Sequence, residues 1–300
     1  MEDCLVRLSQ MIDQLAPAEA RVARHILSQP GDVIGQPIDA ISRSCHTSKT
    51  TVVRLCKQLG YRGYKDLTVA LSTCLASGGR ERIVYQDIAP GDDLHTICEQ
   101  VSNHNQAVIT DTMKVLSEEN LARVVSAIEQ AARVDFYGVG TSALVALDAQ
   151  QKFQRLCMDT QTNLDPHVQV VLACRLCPGD VAVFFSYSGE TADILETMAE
   201  AKRAGATTVS VTRYGNPTLS RLADIPLYVA ATETLIRSAA MTSRISMMHV
   251  VDLIYSAVVA QGYDRYKLYL DRTHLAGREK KSRQKGQAQV YHHTGRKNHG

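Results

Sequence analysis

Three hydroxyls and a glycine stand together in Ser186-Tyr187-Ser188-Gly189-Glu190-Thr191. Such a cluster suits an anion where backbone N–H groups are also free. The hydroxyls donate, the glycine lets the main chain come close, and a following helix adds the positive end of its dipole. A phosphate fits this chemistry, and no base, metal or nucleophile is needed to explain it. A second loop, Gly138-Val139-Gly140-Thr141-Ser142, repeats the pattern with two glycines and two hydroxyls. It is not a dinucleotide fingerprint: the third glycine is missing, and Asp159 alone does not restore the motif. The plainer reading of either loop is a helix start capped by Ser or Thr. Three hydroxyls around one glycine favour the anion site, and neutral donors would hold a dianion there without a lysine.

The elements that must position these loops are strands and helices in alternation. Val181 to Phe185 is a continuous apolar run, as in a strand buried on both faces, and a helical pattern follows from Ala192 to about Ala204. Val134 to Tyr137 reads as a strand before a helix at 143–156. Cys157 to Asn163 is a shorter, less apolar strand candidate, followed by a helix at 168–176. Thr207 to Thr212 is rich in β-branched residues, and Ile225 to Ala230 makes a fifth strand. Five strands with helical crossovers predict an α/β doubly wound domain with a five-stranded parallel sheet, whose ligands sit at the carboxyl ends of the strands. A last long helix runs to about Gln261, with Glu233, Arg237 and Arg244 at its start. Arg237 and Arg244, seven apart on one helical face, suit an anion contact, a subunit interface or surface pairing with acids equally, and Glu233 is the carboxylate to watch for proton transfer.

The first 77 residues follow another pattern. Apolar residues at 5, 8, 12 and 15 have helical spacing, and a second helix starts with Pro17 in its first turn and ends at Pro30-Gly31-Asp32. A short helix from Ile38 to Ser42, a turn at 44–47 and a helix from Lys49 to Leu59 capped by Ser48 make a helix-turn-helix. From Ala40 to Lys65 there are six bases and no acid. The residues placed to meet DNA are Arg43, Thr47, Ser48, Lys49, Thr50, Thr51, Arg54 and Lys57. The alternative is a solvated basic face on a helical bundle.

Charge divides the chain in the same places. Residues 1–77 carry a net +2, residues 78–271 a net −7 and residues 272–300 a net +7. The expected organisation is therefore an all-α helix-turn-helix domain at 1–77, a linker at 78–91, an α/β domain with its entry helices at 92–271, and a basic tail at 272–300 without hydrophobic period. His95 and His104, nine apart in a helical pattern, do not share a face as ligands would. Eight cysteines are scattered, and Cys174-Arg-Leu-Cys177 lacks the second pair a zinc site needs, so it reads as a helix end packing on the sheet. No metal or cofactor is expected. The N-terminus lacks the basic and apolar regions of a signal peptide, and no run approaches about 20 apolar residues, so a cytoplasmic protein without membrane contact is expected.

The run LAPAEARVARHILSQPGDVI…IDAISRSCHTSKTTVVRLCKQLGYRGYKDL resembles the N-terminal domain of the RpiR family of bacterial transcription regulators. Ser48, Thr51, Val52, Arg54, Leu59-Gly60-Tyr61 and Gly63-Tyr64 match its pattern, whereas Ala16-Pro17-Ala18-Glu19 replaces the usual polar-capped start. The two loops, with VAVFFSYSGET and RLADIPLYVA, resemble the SIS (sugar isomerase) domain, which follows the helix-turn-helix in that family. The resemblance implies a DNA-binding domain of about five helices and a phosphosugar effector held by Gly140, Thr141, Ser142, Ser186, Ser188, Gly189 and Thr191. It also implies a homodimer or tetramer on a palindromic operator. AQQKF, DPHVQ and ETLIRSAAMTSRIS look like the branch that senses amino-sugar phosphates such as N-acetylmuramic acid 6-phosphate. The competing expectation is an SIS-type isomerase or lyase with an accessory DNA-binding head.

Overall fold

The computed structural model describes residues 4–76, 91–230 and 240–272. Most of the linker, the segment holding Glu233 and Arg237, and the basic tail beyond Arg272 lie outside the described residues.

The head is helical: α1 (Cys4–Met11), a 3₁₀ turn (Ile12–Gln14), α2 (Pro17–Ser28), α3 (Pro30–Val33), α4 (Ile38–Ser44), α5 (Lys49–Gln58) and α6 (Tyr64–Ala76). Pro30-Gly31-Asp32 does not simply end the second helix. Pro30 starts a separate one-turn helix, since its fixed φ and missing N–H suit a first helical position. One face of each longer helix turns inward, and Leu8, Val22, Ile26, Ile41, Val52, Leu55, Leu59, Leu67 and Leu71 form a single core.

The body opens with α7 (Leu94–Val115) and α8 (Glu118–Gln130). The first is capped by Asp93 and the second by Ser117, each accepting from the N–H three residues on. Four parallel strands follow: β1 (Val134–Gly138), β2 (Val181–Phe185), β3 (Thr207–Arg213) and β4 (Ile225–Val229), in the spatial order β1-β2-β3-β4. The helices among them are α9 (Thr141–Gln154), α10 (Pro166–Ala173), α11 (Ala192–Arg203) and α12 (Thr218–Leu222), and α13 (Met241–Gln261) follows the sheet. β1 and β2 are buried along their whole length, β2 as its apolar run requires and β1 with Asp135 in it. β4, at the edge and carrying Pro226, alternates buried and half-buried residues.

Side chains from alternate positions divide the helices between two faces. Phe136, Val183, Phe185 and Val211 pack against α8, α9 and α13, where Phe136 and Phe153 rings lie 5.3 Å apart. Tyr137, Ala182 and Phe184 pack against α10, α11 and α12, with Tyr137 stacked on Phe184 at 4.9 Å. Each such ring contributes roughly 1.5–3 kcal/mol by leaving water. α13 has the length and composition of a membrane span, but its Met247, Val250, Val251, Ile254 and Val258 are part of the core.

The expected fifth strand, 157–163, does not form. The segment makes one parallel bridge, Arg133 to Asp159, and its carbonyls at Asp159 and Gln161 accept from Val134 and Phe136 N–H. Cys157 bends the entry at φ 57. The Gln161 N–H goes to Asp135 instead of a neighbouring carbonyl, at 2.9 Å. Asp135 is buried, and its other partners are Arg133 and the Tyr137 hydroxyl. Burial pushes the Asp135 carboxyl up, while the Arg133 guanidinium opposes that shift. The flank still fixes the topology. The chain leaves β1 for the flank on one side and returns to β2 on the other, so connections diverge between β1 and β2. That divergence is the topological switch point of an open α/β sheet.

Candidate functional site

The two polar loops follow the two strands at the switch point. Gly138 and Phe185 are register partners, so the loops leave the sheet side by side. Gly140 caps α9 at φ 61, and the Ser142 N–H bonds back to Val139 O at 3.2 Å. Gly140 and Thr141 are exposed and Ser142 is buried. A residue that sequence reasoning missed anchors this loop. Gln169 of α10 is fully buried; it donates to Gly138 O and Asn163 O, both at 2.7 Å, and accepts from Gly138 N at 3.3 Å. It thus ties the strand end to the flank.

The second loop is folded on its own hydroxyls. Ser186 Oγ accepts from Gly189 N at 3.2 Å and lies 3.2 Å from Thr191 Oγ1, while Ser188 Oγ accepts from Glu190 N at 3.2 Å. Gly189 has φ 67, and a Cβ there would lie 2.5 Å from Pro217 Cβ, so no other residue fits this turn unchanged. Ser186 and Gly189 are buried; Ser188 and Thr191 are half-buried. Thr191 begins α11 without spending its side chain on a capping bond. Glu190, the loop's one carboxylate, accepts from Thr218 N at 2.7 Å, and this bond holds its carboxyl below the usual range. All seven predicted loop residues therefore gather along one edge of the sheet, around two adjacent helix starts. That arrangement can offer hydroxyls and main-chain N–H groups to an anion.

Cys174 and Cys177 differ from the expectation: α10 ends at Ala173, and both thiols are exposed in the turn that follows. Leu176 between them supplies the packing instead, and Asp180 accepts from Cys177 N at 2.8 Å.

The head presents the other candidate surface. α4, a turn at 45–48 and α5 have helix-turn-helix form, with His46 in the left-handed region at φ 47. Arg21 of α2, which sequence reasoning also missed, holds that turn by donating to the Cys45 and His46 carbonyls at 3.3 and 3.2 Å. Ser48 caps α5 by accepting from Thr51 N at 3.1 Å. Arg43, Ser48, Lys49, Thr50, Arg54 and Lys57 are exposed, and Thr47 and Thr51 are half-buried. Two of the bases are already paired: Lys49 with Asp39 at 2.5 Å, and Arg54 with Glu19. Glu19 is buried and also accepts from Ala16 N, so it supplies the cap that Ala16 lacks and clamps α2 to α5.

Comparison with known proteins places both halves. Residues 2–78 match the family of helix-turn-helix domains described as the rpiR family, and residues 127–257 match the SIS domain. The chain belongs to the RpiR family of transcription regulators. It is 35% identical over 273 residues to the HTH-type transcriptional regulator YbbH of Bacillus subtilis, spanning 91% of this chain and 96% of that one. It is 31% identical over 258 residues to the HTH-type transcriptional regulator HexR of Pseudomonas aeruginosa, spanning 86% and 90%. Among solved structures it resembles the Vibrio vulnificus NanR protein complexed with ManNAc-6P, with a TM-score of 0.57, 27% identity and coverage of 91% and 97%. This RpiR-family regulator thus carries a helix-turn-helix head for DNA and an SIS body.

Proposed function

We propose that this regulator controls sugar-catabolism genes by sensing a phosphorylated amino sugar in the crevice between the loops after β1 and β2. Gly140, Thr141, Ser142, Ser186, Ser188, Gly189 and Thr191 form the ligand site, with the phosphate at the start of α11. The observation that carries the reading is that the two hydroxyl-rich loops are the two that flank the switch point, where open α/β sheets take ligands. The similarity to NanR, solved with ManNAc-6P, favours an amino-sugar 6-phosphate over other phosphosugars.

The body senses and does not turn its ligand over. In keeping with this, Glu190, the loop's one carboxylate, holds the 213–219 turn by accepting from Thr218 N–H. The head contacts operator DNA through Arg43, Thr47, Ser48, Lys49, Thr50, Thr51 and Lys57, with Arg54 on the same face orienting α5 through Glu19. The protein works in the cytoplasm as a homodimer on a palindromic site, with half-sites spaced by whole helical turns.

The test is a thermal-shift panel on the full chain with N-acetylmannosamine 6-phosphate, N-acetylmuramic acid 6-phosphate, glucosamine 6-phosphate and inorganic phosphate. A ligand that binds only the native state raises the midpoint by mass action. A saturable rise with one sugar phosphate, stable over hours and without product, is expected. A rise that decays as product accumulates would instead make the body an isomerase or lyase.

A further inference from the structure

One short turn, residues 213–219 between β3 and α12, touches both halves of the molecule. On its body side it is bonded to the SYSGET loop. Arg213 N donates to Tyr187 O at 2.9 Å, Leu219 N to Gly189 O at 3.0 Å and Thr218 N to Glu190 Oε1 at 2.7 Å. Pro217 lies against Gly189 so closely that no Cβ fits between them.

On its head side the same turn is held by Gln14, which follows α1. Gln14 Nε2 donates to Tyr214 O at 2.9 Å, and Gln14 Oε1 accepts from Asn216 N at 3.3 Å. The one amide therefore reads a carbonyl and an N–H two residues apart, as a neighbouring strand would, and both of its ends are matched to the correct partner. Between those two groups sits Gly215 at φ 138, where a Cβ would overlap the Gln14 side-chain oxygen. Arg7 of α1 adds a guanidinium 5.3 Å from the centre of the Tyr214 ring. That ring packs edge-on against Tyr228 at 5.3 Å, and Val6, Val115 and Ala230 close the apolar part of the contact.

From this juxtaposition we infer that the 213–219 turn is the coupling element of the regulator, with Gln14 as the clasp through which effector binding reaches the DNA-binding head. The inference rests on the SYSGET loop being the effector site. The turn has no slack. Both faces of the turn meet their partners through main-chain hydrogen bonds at glycines without room for a side chain. A shift of the loop that moves Pro217 or Arg213 therefore displaces Tyr214 O and Asn216 N from the Gln14 amide. The two states are a head docked through the clasp and a head released from it. An effector favours one only by binding it more tightly than the other. Couplings of this kind change affinity about 5- to 150-fold.

The experiment uses the full chain, a duplex selected by the wild-type protein from a random pool, and N-acetylmannosamine 6-phosphate and N-acetylmuramic acid 6-phosphate as probes. Operator Kd is measured with and without each sugar phosphate for the wild type, Gln14→Ala and Gln14→Glu. Gln14→Glu keeps the acceptor for Asn216 N–H but sets a carboxylate against Tyr214 O. The wild type should respond at least tenfold. Both variants should bind the sugar phosphate, yet their operator Kd should change less than twofold on adding it and stay within twofold of one of the two wild-type values. A wild-type response that both variants retain in full overturns the clasp while leaving the ligand reading intact. A wild type that binds neither sugar phosphate overturns the ligand reading and the clasp with it. Should a variant lose operator binding outright, Arg7→Ala, which weakens the Tyr214 contact from the same face, is measured in its place against the same thresholds.

Discussion

The head and the body each place a hydroxyl at a helix start, and they use it in opposite ways. In the head, Ser48 turns its oxygen onto Thr51 N and completes α5 from within. In the body, Thr191 leaves the start of α11 without a side-chain cap, and its hydroxyl meets Ser186 instead. The first arrangement completes the second helix of the helix-turn-helix. The second leaves the start of α11, where the proposed function puts the phosphate, without a side-chain cap. The contrast teaches that a Ser or Thr before a helix says little by itself; what else satisfies the first turn decides whether the helix is closed or open to an anion.

Five substitutions test that contrast. Gly189→Ala should have the largest effect, because the new Cβ meets Pro217 at 2.5 Å in a backbone with φ 67. Sugar-phosphate affinity measured by calorimetry should fall at least about 100-fold, or roughly 3 kcal/mol, while operator binding in the absence of effector persists. Glu19→Gln should destabilise the head by about 2 kcal/mol, seen as an earlier head transition in urea. Arg54 is 58% exposed, so solvent screens the loss and the figure stays below that of a fully buried pair. Arg43→Ala and Lys57→Ala should each weaken operator binding by about tenfold and flatten the salt dependence by about one phosphate contact. Neither should change the response to sugar phosphate. Ser48→Ala is expected to cost about 1 kcal/mol of head stability in the same urea titration. An equal loss of effector binding in Ser48→Ala would erase the distinction between the two helix starts.

Most of the local structure was legible in the sequence. The VAVFF run, the β-branched TTVSVT segment, and the turn between Ser44 and Ser48 each carry their signal within a few residues. The two loops could be read as candidates for the same reason, and the fold sets them side by side. What escaped depends on partners far away in the chain. Residues 157–163 looked like a strand, but Asp135 takes the Gln161 N–H and leaves a flank with a single bridge. Gln169 looks like any polar residue on a helix until Gly138, 31 positions earlier, is placed against it. Arg54 reads as a DNA contact from its basic neighbours, yet its guanidinium is held by Glu19, 35 residues upstream. Gln14 and Asn216, 202 apart, show no common pattern at all. Periodicity reports which face of an element is buried; it does not report which polar group a buried amide will find.

In the proposed division of labour the body reads a sugar phosphate and the head reads DNA. The most direct measurement is operator affinity of wild type and the Ser186→Ala/Ser188→Ala double variant, each titrated with N-acetylmannosamine 6-phosphate and N-acetylmuramic acid 6-phosphate. Equal operator affinity is expected for the two proteins without sugar phosphate, and a shift with one of the two sugar phosphates only in the wild type. A double variant that loses operator binding to the same degree as the sugar response, or that responds like the wild type, would contradict that division.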